Sequence, residues 1–190
     1  MRRLSCGRAV LAALLLAGGL ALVGDALWLR AKAALAQVLL ERAFAASLAA
    51  GGRDVRPWPS ADTVPVARLS LQGRSLVALA GASGQALAFG PGHVAGTPEP
   101  GEPGTAIYAA HRDLHFRGLD ALAPGDPIAV TRRDGRSVRF RVTGRRVVRF
   151  DASGLDPAAP GRRLVLATCW PLDAVTPGPW RLLVEAEAEG

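Results

Sequence analysis

From Val64 onward, apolar residues occur in short runs separated by glycine and proline, which is typical of successive β-strands. Within Val138–Val142, apolar residues alternate with arginine, so this strand is predicted to have one buried and one solvent-facing side. The Asp134-Gly135 pair just before it predicts a tight hairpin. The pattern predicts strands near Val66–Leu71, Ser75–Ala80, Thr105–Ala110, Pro127–Thr131, Ser137–Val148, Leu164–Thr168 and Trp180–Ala186. Because no long helix separates them, the predicted fold class is all-β, a barrel or a sandwich, with at most a helical turn in a connecting loop.

The first fifty residues follow a different pattern. Arginines within residues 2–8 precede the uncharged apolar run Ala9–Gly24, which predicts a signal anchor or secretory signal with its positive end in the cytoplasm. Helical spacing of apolar residues continues through Leu27–Leu48, until Gly51-Gly52. We therefore expect a transmembrane segment at 1–30, an exported helix and linker at 31–63, and a barrel domain at 64–190. Ala31–Ala33 would also serve as a cleavage site, so removal of the segment stays an alternative.

Composition narrows the possible partners. The 190-residue chain carries a net charge of +7, and nearly all of its basic residues are arginines. These arginines are scattered over predicted strands and turns, without a basic helix and without interleaved aromatic residues, which make up only 5% of the chain. A nucleic-acid partner is therefore not predicted.

The chain has two cysteines, Cys6 and Cys169, and they lie on opposite sides of the predicted membrane segment. A disulfide between them would have to cross the membrane, so we expect none. A single thiol in an exported domain favours a catalytic role. The alternative is a buried, inert cysteine that acts as a small apolar residue.

Three predicted strand ends carry groups suited to acyl transfer. His111 follows Thr105–Ala110, Cys169 follows Leu164–Thr168, and Arg181 lies at the start of the last strand. A thiol needs a base or a positive neighbour to react as thiolate, and imidazole changes its charge near neutral pH. A guanidinium stays protonated, so Arg181 would donate hydrogen bonds to substrate or to a developing oxyanion.

Two motifs resemble those of one known family. Tyr108–Phe116 is similar to the histidine motif of sortases, and Leu164–Cys169 resembles the strand end that carries their nucleophile. Arg181 stands where the family has its arginine. The Leu27–Leu48 helix and the segment Gly81–His93 are most similar to the Gram-negative subgroup, the class GN sortases.

The resemblance implies a closed β-barrel with short helices in its loops, preceded by the N-terminal helix. It implies a cysteine transpeptidase with Cys169, His111 and Arg181 as catalytic residues, acting without metal or other cofactor. It also implies an inner-membrane protein with a periplasmic catalytic domain. Its partners would be a protein with a C-terminal Leu-Pro-x-Thr-Gly-like sorting signal and an amine acceptor. Thr168, His93 and Trp170 would contact the substrate.

Two alternatives remain at this point. His115 lies four residues after His111, so the two histidines and Cys169 would suit zinc if the segment were helical. We do not predict a metal site, because a strand ending at His111 breaks that spacing. A barrel that only binds an extended peptide by strand addition is the second alternative. The thiol argues against it, since a binding module has no use for one.

Overall fold

The computed structural model describes residues 2–189, with side chains from Gly7 onward. Two helices, eight strands and a short 3-10 helix, Leu119–Ala121, make up its regular structure. The helices are α1 (Arg2–Ala49) and α2 (Gly84–Phe89). The strands are β1 (Pro65–Leu71), β2 (Arg74–Ala80), β3 (Gly92–His93), β4 (Gly104–Ala109), β5 (Pro127–Arg132), β6 (Ser137–Arg149), β7 (Arg162–Cys169) and β8 (Trp180–Ala188).

The eight strands close into a barrel in the order β1-β2-β3-β4-β7-β8-β6-β5. β4 and β7 run parallel, whereas β8 is antiparallel to β7 and to β6. The C-terminal ends of β4, β6 and β7 therefore meet the start of β8 at one end, which we call the catalytic end because it carries the three candidate catalytic residues. The predicted all-β class, with a closed barrel, is confirmed.

Alternation of side chains builds the barrel core. In β4, Ala106 and Tyr108 point inward, and in β7 Leu164 and Leu166 do the same. Intervening residues on these strands, Ile107 and Val165 among them, form a separate apolar cluster on the outer face. The inward residues are almost fully buried, and burial of a side chain of this size stabilises a fold by about 1.5–3 kcal/mol.

The chain divides into two compact units, one ending at Val38 and the other starting at Leu39. In the first, α1 is long and apolar enough to span a bilayer by length and composition. In the second, the end of α1 buries Leu40 and Phe44 against the β2 side of the barrel. The predicted stop is confirmed, since Gly51 and Gly52 have φ angles of 67° and 89°. The predicted 1–30, 31–63 and 64–190 domain division stays a prediction.

Some local predictions need correction. β3 and α2 were not predicted, and Gly81–Gly84 was expected to be a turn only. Two residues are too few to produce a hydrophobic pattern, so β3 left no signal. β7 includes Cys169, whereas the predicted strand ended at Thr168. The side chain of Cys6 lies outside the described part, so the expected absence of a disulfide stays a prediction, although Cys169 is a free thiol.

Candidate active site

His111, Cys169 and Arg181 belong to one cross-strand row. Cys169 pairs with Arg181 in the antiparallel β7–β8 ladder. In the parallel β4–β7 ladder, Ala109 pairs with Ala167. Continuing that register by two residues sets His111 opposite Cys169. Because neighbouring strands lie about 4.8 Å apart, the three backbones occupy adjacent positions at the catalytic end.

Side-chain alternation places all three residues on the outer face. In β7, Leu164 and Leu166 point into the barrel, so Cys169 points outward. In β8, Leu182 points inward, so Arg181 points outward. The same alternation carried beyond β4 directs His111 outward. The free thiol is half-buried, which leaves it open to a substrate on the barrel surface.

Two hydrogen bonds of Ala110, the residue before His111, tie this segment to the strand that carries Cys169. The Ala110 N–H donates to the Ala167 carbonyl at 3.1 Å, which extends the β4–β7 ladder by one bond. The buried Thr168 hydroxyl donates to the Ala110 carbonyl at 2.8 Å. Ala110, which precedes His111, is thus hydrogen-bonded to Ala167 and Thr168, the two residues that precede Cys169.

Arg112 ties the other side of the histidine to the loop that follows Cys169. Its Nη1 donates to the Pro171 carbonyl at 2.9 Å and its Nη2 to the Thr176 carbonyl at 3.0 Å. The planar guanidinium suits this double contact because its donors form a rigid fork. No local pattern in the chain indicates these two carbonyl partners, which lie about sixty residues away in the sequence.

Arg181 is held by its own loop. Its Nη1 donates to the Gly178 carbonyl at 2.9 Å and to the Trp180 carbonyl at 2.8 Å, and its guanidinium lies 5.6 Å from the Phe150 ring centre. Among the described residues, Nε and Nη2 have no hydrogen-bond partner. These two nitrogens therefore remain available to donate to a substrate carbonyl or an oxyanion.

His111 lies close enough to His115 to affect the ionisation of His115. Burial lowers the pKa of His115, and the charges of Arg74 and His111 lower it further, while a hydrogen bond with the Ala88 backbone opposes them. No group of three or more His, Cys, Asp or Glu residues within the described part is placed to hold a metal ion. The structure therefore gives no support to the zinc alternative.

The three residues predicted to contact substrate lie in different surroundings. The Thr168 side chain is buried and bonded to Ala110, so contact with substrate would come from its backbone. The His93 ring lies 3.0 Å from the Pro98 carbonyl and 3.1 Å from the Thr97 hydroxyl, in the connection before β4.

Trp170 directly follows Cys169, and the Trp170 backbone N–H donates to the Trp180 carbonyl at 3.0 Å. It borders a cavity of about 310 Å³ that is also lined by Val147 and Leu182. Its partly buried side chain packs against the barrel core, and its contact with substrate stays a prediction.

Comparison with known proteins identifies the family of this chain. The Sortase domain model matches residues 65–189, which contain the whole barrel. A Pilus-related Sortase C of Group B Streptococcus is 26% identical with a TM-score of 0.59, over 66% of this chain and 68% of that one. Sortase A from Corynebacterium diphtheriae is 24% identical with a TM-score of 0.61, over 83% and 85%. A Clostridium perfringens Sortase D5 transpeptidase is 23% identical with a TM-score of 0.57, over 67% and 80%.

No curated protein sequence matches the chain. The structural likenesses below 25% identity support the fold, and the family match carries the assignment. Because that match spans well over half of the chain, this chain belongs to the sortase family of transpeptidases.

Proposed function

We propose that this chain is a membrane-anchored cysteine transpeptidase of the class GN type. It cleaves a C-terminal Leu-Pro-x-Thr-Gly-like sorting signal and transfers the acyl group to an amine. The observation that carries the proposal is the cross-strand row of His111, Cys169 and Arg181 on the outer face of the barrel. A nucleophile, a proton carrier and a fixed cation in one row are the groups that acyl transfer requires.

The proposed reaction has two halves. The Cys169 thiolate attacks the scissile carbonyl, and Arg181 donates hydrogen bonds to the oxyanion that forms. His111, as imidazolium, protonates the leaving amine as the C–N bond breaks, which leaves a thioester on Cys169. An incoming amine then attacks the thioester, and His111 removes its extra proton as the C–S bond breaks. The thiolate and the imidazolium are restored.

The outer-face cluster supports a peptide substrate. Ile107, Val165 and Leu183 are buried side by side, and partly buried apolar residues surround them. In β7 and β8, Val165 and Leu183 lie on the same outer face as Cys169 and Arg181. An extended peptide bound over this face would pack apolar side chains on the cluster while its scissile bond reached the thiol.

The N-terminal helix supports anchoring in the inner membrane. It is long and apolar enough to span a bilayer, and the arginines before its apolar run favour a start in the cytoplasm. The barrel would then lie in the periplasm, where a membrane-held protein with a sorting signal and an amine acceptor would meet it. We expect a neighbouring reading frame to end in such a signal, an apolar stretch and arginines.

A peptide-binding module without transfer is less well supported. Strand addition needs an exposed sheet edge, and the eight described strands close into a barrel.

The decisive experiment traps the acyl-enzyme. The full-length protein in detergent is incubated with a Leu-Pro-Ala-Thr-Gly peptide, with and without hydroxylamine, and intact mass is measured. Wild type should gain the mass of the acyl fragment on Cys169 and release the hydroxamate when hydroxylamine is present. Cys169→Ala should do neither, and His111→Ala should lose nearly all turnover.

The chain offers a matched control, because Cys6→Ser removes the other thiol. This variant should retain acylation and transfer. Acyl transfer by Cys169→Ala would refute the covalent step, and full activity of His111→Ala would assign proton transfer to another group.

A further inference from the structure

Large apolar side chains are exposed at one end of the barrel. In the part of the second unit that the structure describes, five large hydrophobic residues are exposed, and we call them the apolar rim: Leu114, Val147, Phe150, Val175 and Trp180. All five lie at the catalytic end. Val175 is 97% exposed and Phe150 is 61% exposed. Exposed apolar surface of this kind marks a site of contact with a protein or a membrane.

The apolar rim is assembled around the catalytic row. Leu114 lies three residues after His111, and its N–H is directed at the His111 carbonyl at 3.4 Å. Phe150 follows β6, and its N–H donates to the Pro179 carbonyl in the loop that connects β7 and β8. Because the rim residues come from separate segments that converge only in the fold, the rim is a property of this end and not of one loop.

Three arginines lie near the apolar rim. Arg112 and Arg181 donate to backbone carbonyls, and Arg145 lies beside Val147. Within the described residues none of these three arginines forms an ion pair with a carboxylate. Tryptophan and arginine beside aliphatic residues are the combination that binds at the headgroup level of bilayers. Asp120 lines the same cavity as Arg145, but arginines that are not engaged in ion pairs favour anionic lipids. This chemistry favours a lipid surface over an apolar protein partner.

We propose that the apolar rim docks on the surface of the anionic phospholipid bilayer that holds the N-terminal helix. This inference depends on the proposed membrane anchoring, but not on the proposed transfer reaction. Docking buries the rim residues at the boundary of headgroups and acyl chains, about 5–10 Å deep. It holds the thiol beside the bilayer surface, where the sorting signal of a membrane-held substrate emerges.

The test measures depth in the membrane. Full-length protein carrying Cys6→Ser and Cys169→Ala is reconstituted into vesicles of phosphatidylethanolamine and phosphatidylglycerol. An environment-sensitive fluorophore is attached at Val175→Cys in the rim or, as a matched control, at Arg136→Cys in the hairpin at the opposite end. At position 175, we expect blue-shifted emission and several-fold stronger quenching by doxyl-labelled lipids than at position 136. Aqueous iodide should show the reverse order.

Three results would overturn the proposal. Equal quenching at the two positions would mean that the catalytic end does not face the bilayer. A protein that does not float with the vesicles would remove the anchor itself. A response at position 175 only after addition of a Leu-Pro-Ala-Thr-Gly peptide with an apolar tail would assign the rim to the substrate. Because the labelled protein lacks Cys169, failure of the acyl-enzyme experiment leaves this measurement unaffected.

Discussion

The bond between Thr168 and Ala110 gives the sharpest test of how the barrel positions the site. Thr168→Val keeps the branched shape of the side chain and its place in β7, but it removes the hydroxyl that donates to the Ala110 carbonyl at 2.8 Å. Both residues are buried, so water does not replace the lost donor. Ala110 directly precedes His111, and Thr168 directly precedes Cys169. The substitution therefore removes a side-chain hydrogen bond that joins the segment of His111 to the segment of Cys169 through the residues adjacent to each.

The magnitude follows from the orphaned carbonyl. A buried acceptor left without its partner costs about 1–3 kcal/mol of stability. For a unit of this size each kcal/mol lowers the melting temperature by about 2–4 °C, so a decrease of about 2–12 °C is expected. A small displacement of His111 relative to the thiol reduces catalysis more steeply, and we expect acylation to slow by about ten- to a hundredfold well below the melting temperature.

The assay combines thermal unfolding with the rate of acyl-enzyme formation measured by intact mass. Thr143→Val is the matched control, because the Thr143 hydroxyl also donates to a backbone carbonyl, at 3.2 Å, but at an exposed position where water replaces it. Thr168→Ser should recover most of both losses. The reasoning is refuted if Thr168→Val behaves like Thr143→Val, or if serine is no better than valine.

Three further predictions follow from single contacts. Arg112→Lys loses the double contact to the loop after Cys169, which is worth about 1 kcal/mol, so kcat/KM should fall about fivefold with little change in melting temperature. Arg117→Lys is the control: its single hydrogen bond lies within its own loop, so kcat/KM and the melting temperature should stay unchanged. The pKa of His115 is lowered in the folded protein, so below the ordinary pKa of 6.5 the folded state binds fewer protons there than the unfolded chain. The free energy of unfolding, measured across pH, should therefore fall as the pH decreases below that value. His115→Gln should make this dependence on pH weaker. Gly104→Ala would set a Cβ 2.3 Å from a carbonyl oxygen at a φ of 112° and should cost at least about 1–3 kcal/mol by chemical denaturation, whereas Gly144→Ala, with open space, should cost little.

Strands with a strong pattern were predictable from the sequence. Phe140 and Val142 alternate with arginines, and the structure buries the former while exposing the latter. The Asp134-Gly135 pair correctly indicated the hairpin between β5 and β6. Local signals were sufficient there because each of these strands carries its own pattern of burial. The predicted strand bounds also indicated that the three candidate catalytic residues lie at or next to strand ends, as they do in the structure.

Other features depend on contacts between distant segments and left no local signal. β3 has two residues, and Gly92 is needed there because a Cβ would lie 2.2 Å from the Gly81 carbonyl oxygen. The apolar rim is equally non-local, since its members are ordinary isolated hydrophobic residues until the barrel brings them to one end. Sequence patterns report which side of an element is buried, but they do not report which exposed residues of different elements become neighbours.

The register of the barrel determines whether the row exists at all. Since side chains alternate along a strand, a slip of one residue in β7 would turn the Cys169 thiol into the barrel and expose Leu164 and Leu166. The buried leucines resist such a slip, because each would lose about 1.5–3 kcal/mol of burial. Thr168 adds a side-chain bond to the neighbouring segment in the same register. The core residues of β7 therefore stabilise the barrel and, through alternation, direct the Cys169 thiol to the outer face.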